Sequence, residues 1–352
     1  MEPFDDHDSP GKYPENQNTM RRLPSSERPT VGLDSQNRVI PYKPLHKSFV
    51  VLPLFISYVV LSFLFLTINP LYANIRANSC SVFANKSVIV NGSQILAPLV
   101  RDVVHEYSQQ CLGVNVSVNP NSATFPQGSL NGLKQVEKGS IDIGTSDVFA
   151  DPNQNPDLQD YQVAVVVFAL VVNDNMDITN LTINQIKKIY SGEIDNWSKV
   201  GSKKNRDIVL VSAPPTSGIR WTFETHVLGG QETLSDPQSL LNNTSEKIIQ
   251  SLRDNPGAIS YVPLYYAKKY GLKILSIEGK NPSYSDFASV KNGTYTFWNI
   301  EHMYTRGAPG SPVKEFIEHM FSTAALRVIN QDGYLSPAEF PRSVLERHIL
   351  QE

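Results

Sequence analysis

Three short segments of small and polar residues have the composition of turns that open helices, and such turns bind anions without needing a Lys or Arg. They are Asn91-Gly92-Ser93-Gln94, Gly128-Ser129-Leu130-Asn131-Gly132-Leu133 and Thr216-Ser217-Gly218-Ile219-Arg220. The first four backbone N–H groups of a helix lack an intrahelical acceptor, and the helix dipole adds a partial positive charge at the same end. One such turn is a weak signal, since Ser near a helix start commonly serves only as an N-cap. Three of them point to a composite anion site.

Other chemistry is not assembled. The sequence contains no Gly-x-Ser-x-Gly elbow and no P-loop. Its His residues show no metal-ligand spacing, and Cys80 and Cys111 have no C-x-x-C partner. No nucleophile, base and orienting group can be combined into an active site, so the reading is a binding protein with no metal or cofactor rather than an enzyme. With 31 Lys and Arg against 34 Asp and Glu, nothing favours a nucleic-acid partner. Several Asn-x-Ser/Thr sequons, among them Asn85, Asn115 and Asn180, are expected by chance in a chain so rich in Asn.

The turns need elements to position them. Ser87-Val88-Ile89-Val90 reads as a strand, followed by Ile95, Leu96, Leu99, Val100, Val103, Val104 and Tyr107 at helical spacing. A helix around Leu133 and Val136 leads to strand Ile141-Asp142-Ile143. The uninterrupted apolar run Val163 to Val172 predicts a strand buried on both faces of a parallel sheet. Thr182-Ile183-Asn184-Gln185 is a capping box. Strands at Ile208 to Val211 and Ala258 to Val262, a helix from Ser217 to Leu228 ending at Gly229-Gly230, and helices near Val313 to Phe321 complete an alternating pattern. Such alternation specifies a doubly wound α/β architecture.

The N-terminal part is of another kind. Residues 1–48 are polar, rich in Pro, Asn, Ser, Asp and Arg, and read as a disordered tail, either solvated or partner-binding. The run Phe49 to Ile68 carries no charge, and its roughly 20 residues give about 30 Å of helix, enough to span a bilayer. Residues 49–69 are therefore expected to form one transmembrane helix, and residues 70–85 a linker. A cleaved signal peptide fits poorly behind so long a leader, Ala77-Asn78-Ser79-Cys80 fits poorly as a lipoprotein site, and Arg21-Arg22 lies too far upstream for a twin-Arg signal. Arg28, Arg38, Lys43 and Lys47 precede the run while Arg76 and Lys86 follow it, which places the N-terminus in the cytoplasm and the C-terminal domain outside the cell membrane. Both cysteines then lie in the oxidising compartment, where Cys80 and Cys111 form a disulfide or remain two separate thiols.

The ordered segments Asn91-Gly92-Ser93 through Ala97-Pro98-Leu99, Ile141 through Asp147, Asn180-Leu181-Thr182 through Ser191-Gly192, Asn196-Trp197, Ser217 through Glu224 and Pro256 through Val262 resemble the signatures of the phosphate-binding subunit of phosphate ABC importers, PstS-like members of the type II periplasmic-binding-protein family. The resemblance spans roughly residues 86–340. It implies a two-lobed α/β fold over 86–352, with lobe I about 86–169 and 302–352 and lobe II about 170–301. It also implies phosphate or a related oxyanion as ligand, an ABC permease as partner, and ligand contacts from Ser93, Gln94, Ile95, Ser129, Asp147, Ser217, Gly218 and Ile219. In that scheme the backbone N–H groups of Gln94 and Ile95 are the chief donors of the first turn, and Asp147 accepts the proton that phosphate retains and sulfate lacks.

The chain departs from the family pattern at three places. Ala213 stands where the family has an Arg four residues before the Ser of its Ser-Gly-Thr turn, and Ile219 replaces the Thr of that turn. Gln94 stands where the first loop usually offers a hydroxyl. These departures motivate a second reading, a surface sensor or interaction protein that kept the fold and lost tight binding. Arg220 either faces the cleft or forms a surface pair, and Trp298, His302 and Tyr304 either line the cleft or pack a hinge.

Overall fold

The computed structural model describes residues 86–111, 113–120, 124–234, 240–242, 244–282 and 287–350. The polar tail, the apolar run Phe49 to Ile68, the linker and Cys80 lie outside the described residues. No described helix is long and apolar enough to cross a membrane.

Among the described residues ten strands run in chain order: β1 Lys86–Gly92, β2 Val114–Val118, β3 Ile143–Ser146, β4 Leu158–Val172, β5 Asn180–Leu181, β6 Val209–Ser212, β7 Leu240–Leu241, β8 Ala258–Pro263, β9 Lys273–Ile277 and β10 Trp298–Arg306. They alternate with helices, of which α1 Ala97–Gln110, α2 Ser129–Glu137, α3 Ile183–Tyr190, α4 Gly218–His226 and α5 Ser245–Asp254 precede β8. Behind it come α6 Leu264–Lys269, α7 Ala288–Lys291, α8 Val313–Met320, α9 Thr323–Gln331 and α10 Arg342–Ile349. The principal strand order is β2-β1-β3-β10-β4-β8-β6-β7, with β9 and β5 branching from β4.

The long strand β4 divides this order into two halves. Its first part, Leu158 to Val167, pairs with β10, and its last part, Phe168 to Val172, pairs with β8 and β9. All ten residues from Val163 to Val172 are buried, as an unbroken apolar run requires. The pairing differs from the sequence reading, however: β4 is antiparallel to β10, β8 and β9. The run is apolar because β4 passes through the cores of both halves, and not because its neighbours are parallel. Among the described residues parallel pairing is confined to β1 with β2 and β3, β6 with β7 and β8, and β5 with β9.

Local sequence dictates several boundaries. In α3 the Thr182 hydroxyl accepts from Gln185 N–H and the Gln185 side chain accepts from Thr182 N–H, the reciprocal cap legible in the sequence. Helix α4 is shorter than its pattern suggested and caps at Val227. It is held by Phe223, whose ring stacks on Tyr261 of β8 at 4.5 Å and meets Phe297 at 5.3 Å. That aromatic cluster fixes the end of α4 remote from the cleft and so fixes where its N-terminus points. Cys111 stands at the C-cap of α1, its N–H donating to the carbonyl of Tyr107.

Candidate functional site

Between the two halves lies a cleft of about 630 Å³. One side is formed by the turn after β1, the start of α2 and Asp147 just beyond β3. The other is formed by Ala213, the start of α4 and the start of α5. The three helix-opening turns picked out in the sequence are thus brought together. Gln94, Ile95, Ser129, Asp147, Ser217, Gly218 and Ile219 all line this cleft.

Ser93 is the exception. It is fully buried behind the lining, its hydroxyl donates to Asp147 Oδ1, and its oxygen accepts from Ile95 N–H at 3.1 Å and Leu96 N–H at 2.9 Å. Ser93 therefore orients the carboxylate, and it engages the Ile95 N–H that the resemblance had assigned to the ligand. Among the described residues the Gln94 backbone N–H has no such acceptor.

Asp147 is 1% exposed. Its own N–H donates to Ser129 Oγ at 3.1 Å, and its carbonyl accepts from Asn299 Nδ2 on β10. Burial raises its carboxyl above the ordinary carboxylate range, against hydrogen bonds with Ser93, Glu301 and Ser129 and the charge of His302, which pull the other way. The carboxylate is placed by strands from two parts of the chain, β3 before it and β10 beneath it.

Opposite stands the N-terminus of α4. Ser217 occupies the N-cap in extended conformation and makes no side-chain cap, so its hydroxyl does not occupy the first-turn N–H groups of the helix. Gly218 abuts Asp147 so closely that a Cβ added to it would meet Oδ2 at 2.0 Å. A carboxylate and a cluster of backbone donors therefore flank one small volume. Such a pair suits an oxyanion that still carries a proton, which the carboxylate accepts while the amides donate to the other oxygens.

Arg220 takes neither of its two expected places. It is 4% exposed, and its guanidinium donates to Glu224 Oε1 at 2.8 Å, Ala213 O at 3.3 Å and Thr233 O at 3.1 Å. It ties the end of β6 to α4 from behind the cleft. Trp298, His302 and Tyr304 are packed within the interior. Trp298 stacks on His348 at 3.7 Å, His302 Nδ1 pairs with Asp160 at 2.8 Å, and Tyr304 accepts from Ala150 N–H at 3.0 Å.

Sequence reasoning missed part of the lining. Gln94 Nε2 donates to Gln127 Oε1 at 3.0 Å, and Gln127 Nε2 donates to Asn119 O at 3.3 Å, a polar wall assembled from three separate loops. Arg101, one turn into α1, also lines the cleft, as do Thr244, Glu246 and Tyr266 from the other half. Among the described residues no group of His, Cys, Asp and Glu is arranged to hold a metal ion.

Residues 80–324 match the model of a PBP superfamily domain. The chain is 33% identical over 256 residues to the phosphate-binding protein PstS of Bacillus subtilis, covering 72% of this chain and 81% of that protein. It is 22% identical over 264 residues to the phosphate-binding protein PstS of Borreliella burgdorferi, covering 71% and 90%. Among solved structures it is similar to an ABC-type phosphate transport receptor from Vibrio cholerae, with TM-score 0.59 and 26% identity over 71% of this chain and 100% of that one. A Clostridium perfringens protein assigned as a phosphate ABC transporter substrate-binding protein, with bound phosphate, shares the fold at TM-score 0.63 and 21% identity over 71% and 99%.

Proposed function

The chain belongs to the PBP superfamily and, within it, to the PstS-like phosphate-binding proteins, and from that premise we propose that its cleft captures inorganic phosphate outside the cell for delivery to an ABC permease. It is a solute receptor, not an enzyme. The observation that carries the ligand assignment is the position of Asp147, a buried carboxylate set against the open N-terminus of α4. Phosphate near neutral pH keeps a proton to donate to that carboxylate, whereas sulfate brings only acceptors. An acceptor facing an acceptor in a dry site costs about 1–3 kcal/mol, enough for a clear preference.

In this reading Gln94 contributes its backbone N–H, Ser129 and Ser217 their hydroxyls, and Gly218 and Ile219 the first-turn amides of α4. Ser93 and Ile95 hold Asp147 and the first turn in place. The domain is anchored by the apolar run Phe49 to Ile68, with the tail in the cytoplasm. A Cys80–Cys111 disulfide joins the linker to α1, a pairing supported by the presence of only these two cysteines in the chain.

The second reading, a sensor or interaction protein without tight phosphate binding, draws on Ala213 and Ile219, both of which line the cleft without a polar side chain. Calorimetric titration of the purified full chain with phosphate and with sulfate separates the two. Saturable phosphate binding with weak or absent sulfate binding is the expected result, and no heat with either anion would establish the second reading instead.

A further inference from the structure

Position 213 carries a methyl group in this chain, so the oxyanion cradle lacks the guanidinium that the family resemblance implies there. The cleft is nevertheless not without a cation. Among the described residues that line it, Arg101 alone bears a positively charged side chain, against Asp147 and Glu246 as anions. It stands on the same wall as the first turn: Ala97, Pro98 and Arg101 all line the cleft, and the i, i+4 spacing of Ala97 and Arg101 stacks them on one face of α1.

Three physical facts direct Arg101 toward the cradle. Four residues of helix separate it from Ala97, which is about 6 Å along the axis, within the span of an extended arginine side chain. Cα–Cβ bonds in a helix tilt toward its N-terminus, so the side chain leans back toward Gln94 and Ile95 and away from the far end of α1. The guanidinium is also uncommitted, because the Arg101 side chain makes no hydrogen bond or ion pair among the described residues. Arg220, by contrast, has all its reach taken up by Glu224, Ala213 and Thr233.

We infer that Arg101 is the charged donor of the binding site, reaching from one turn into α1 to the bound oxyanion and supplying from one wall of the cleft the positive charge that Ala213 does not supply from the other. This rests on the phosphate reading above and names a specificity-determining residue within it. Arginine suits the role, because its planar fork donates two parallel hydrogen bonds to one oxyanion and keeps its charge at any working pH.

The test is phosphate titration of the full chain, its Arg101→Gln and Arg101→Lys variants, and Ala213→Arg in each background. Arg101→Gln is expected to weaken phosphate binding about tenfold to a hundredfold, and Arg101→Lys to recover part of that loss. The slope of affinity against ionic strength should flatten in Arg101→Gln, which a merely structural role would not produce. Ala213→Arg should improve binding far more in the Arg101→Gln background than in the parent, since the two guanidinium groups would serve the same oxyanion. A parent that binds phosphate with an affinity and salt slope unaltered by Arg101→Gln overturns the role of Arg101 and leaves the phosphate reading standing. A parent that binds no phosphate overturns both.

Discussion

Asp147 and Gly218, which follow strands in different halves of the fold, meet so closely that the Cβ position of residue 218 lies 2.0 Å from Asp147 Oδ2 and 2.6 Å from its Cγ. Near them, a Cβ on Gly128 would stand 3.3 Å from the carbonyl oxygen of Thr216. The two halves thus approach each other at the anion cradle itself, and the absence of a side chain at 218 permits that approach. Gly218 is not in the left-handed region, so the requirement is one of space alone.

Gly218→Ala is accordingly expected to push Asp147 and the α4 N-terminus apart. Its methyl group would meet the buried carboxylate, which Ser93 and the packing around β3 hold in place, and not the free end of a flexible side chain. Phosphate affinity should fall at least tenfold while the far-ultraviolet circular dichroism stays that of the parent. Unchanged affinity would mean that the cleft binds its ligand without this approach.

Anion discrimination should reside in Asp147. Asp147→Asn replaces an acceptor with a side chain that also donates, and the preference for phosphate over sulfate should shrink by an order of magnitude or more. The wild-type preference should also decline on acidification at a higher pH than an ordinary Asp would impose, because burial raises this carboxyl and its protonation removes the acceptor. Parallel titrations with both anions between pH 5 and 8 measure the two effects. A preference that survives Asp147→Asn intact would move the discriminating group elsewhere.

What the sequence disclosed depended on how local each signal was. The Thr182–Gln185 cap and the three helix-opening turns are written in consecutive residues, and all of them appear. The burial of Val163 to Val172 was equally plain, but its antiparallel partners lie about 90 to 140 residues away in β8, β9 and β10, which no local pattern encodes. Ile95 shows the same limit inside the site, where Ser93 is buried by tertiary packing and captures an N–H assigned to the ligand. Gln127 and Asn119 were overlooked because a polar residue on a loop looks solvent-facing until another part of the fold is laid against it, and Arg101 because it stays exposed on its helix even where it lines the cleft. In Arg101 the usable signal was its i+4 spacing from Ala97.

A second titration lies apart from the cleft. At the C-cap of α9, Asp332 is raised to about 6, first by burial and then by the neighbouring side chain of Asp102 of α1. Because this folded-state value exceeds the 3.8 of an unperturbed Asp, the folded chain holds the extra proton between those two pH values. Stability contributed by this site is therefore greatest below about 3.8 and is lost as pH rises through about 6. Asp332→Asn should raise the melting temperature at pH 7 to 8, and the gain should vanish near pH 4. An equal gain at both ends would assign the effect to packing rather than to the extra proton.

The anchor and the disulfide are tested together on intact cells. External protease should remove the C-terminal domain while sparing an N-terminal tag, and non-reducing peptide mapping should recover the Cys80 and Cys111 peptides joined. A loop of about 30 residues closed in this way contributes roughly 3–4 kcal/mol in the chain-entropy description, so Cys111→Ser should melt well below the parent. Loss of the N-terminal tag, or alkylation of Cys80 in exported protein, would overturn the respective assignment.

The strongest test of the altered cradle restores the Arg and Thr that the family resemblance implies. Ala213 and Ile219 both line the cleft, are 2% and 3% exposed, and sit on either side of the Ser217-Gly218 turn. Threonine at 219 would add a hydroxyl beside the first-turn amides. It would also give up apolar packing and carry a hydroxyl into a buried position, a cost in stability of about 1–2 kcal/mol. Arginine at 213 would bring a charge-assisted donor worth about 1.5–3 kcal/mol, or one to two orders of magnitude in affinity. The carbonyl of Ala213 would stay bound to Arg220, since that contact uses only backbone at 213. The double change Ala213→Arg with Ile219→Thr should therefore bind phosphate more tightly than the parent, at a somewhat lower melting temperature, and keep the preference over sulfate that Asp147 confers. Calorimetry at low salt measures the gain and scanning calorimetry the cost. If affinity does not rise in a variant that folds, side chains at 213 and 219 do not reach the ligand, and the backbone donors with Asp147 constitute that wall of the site.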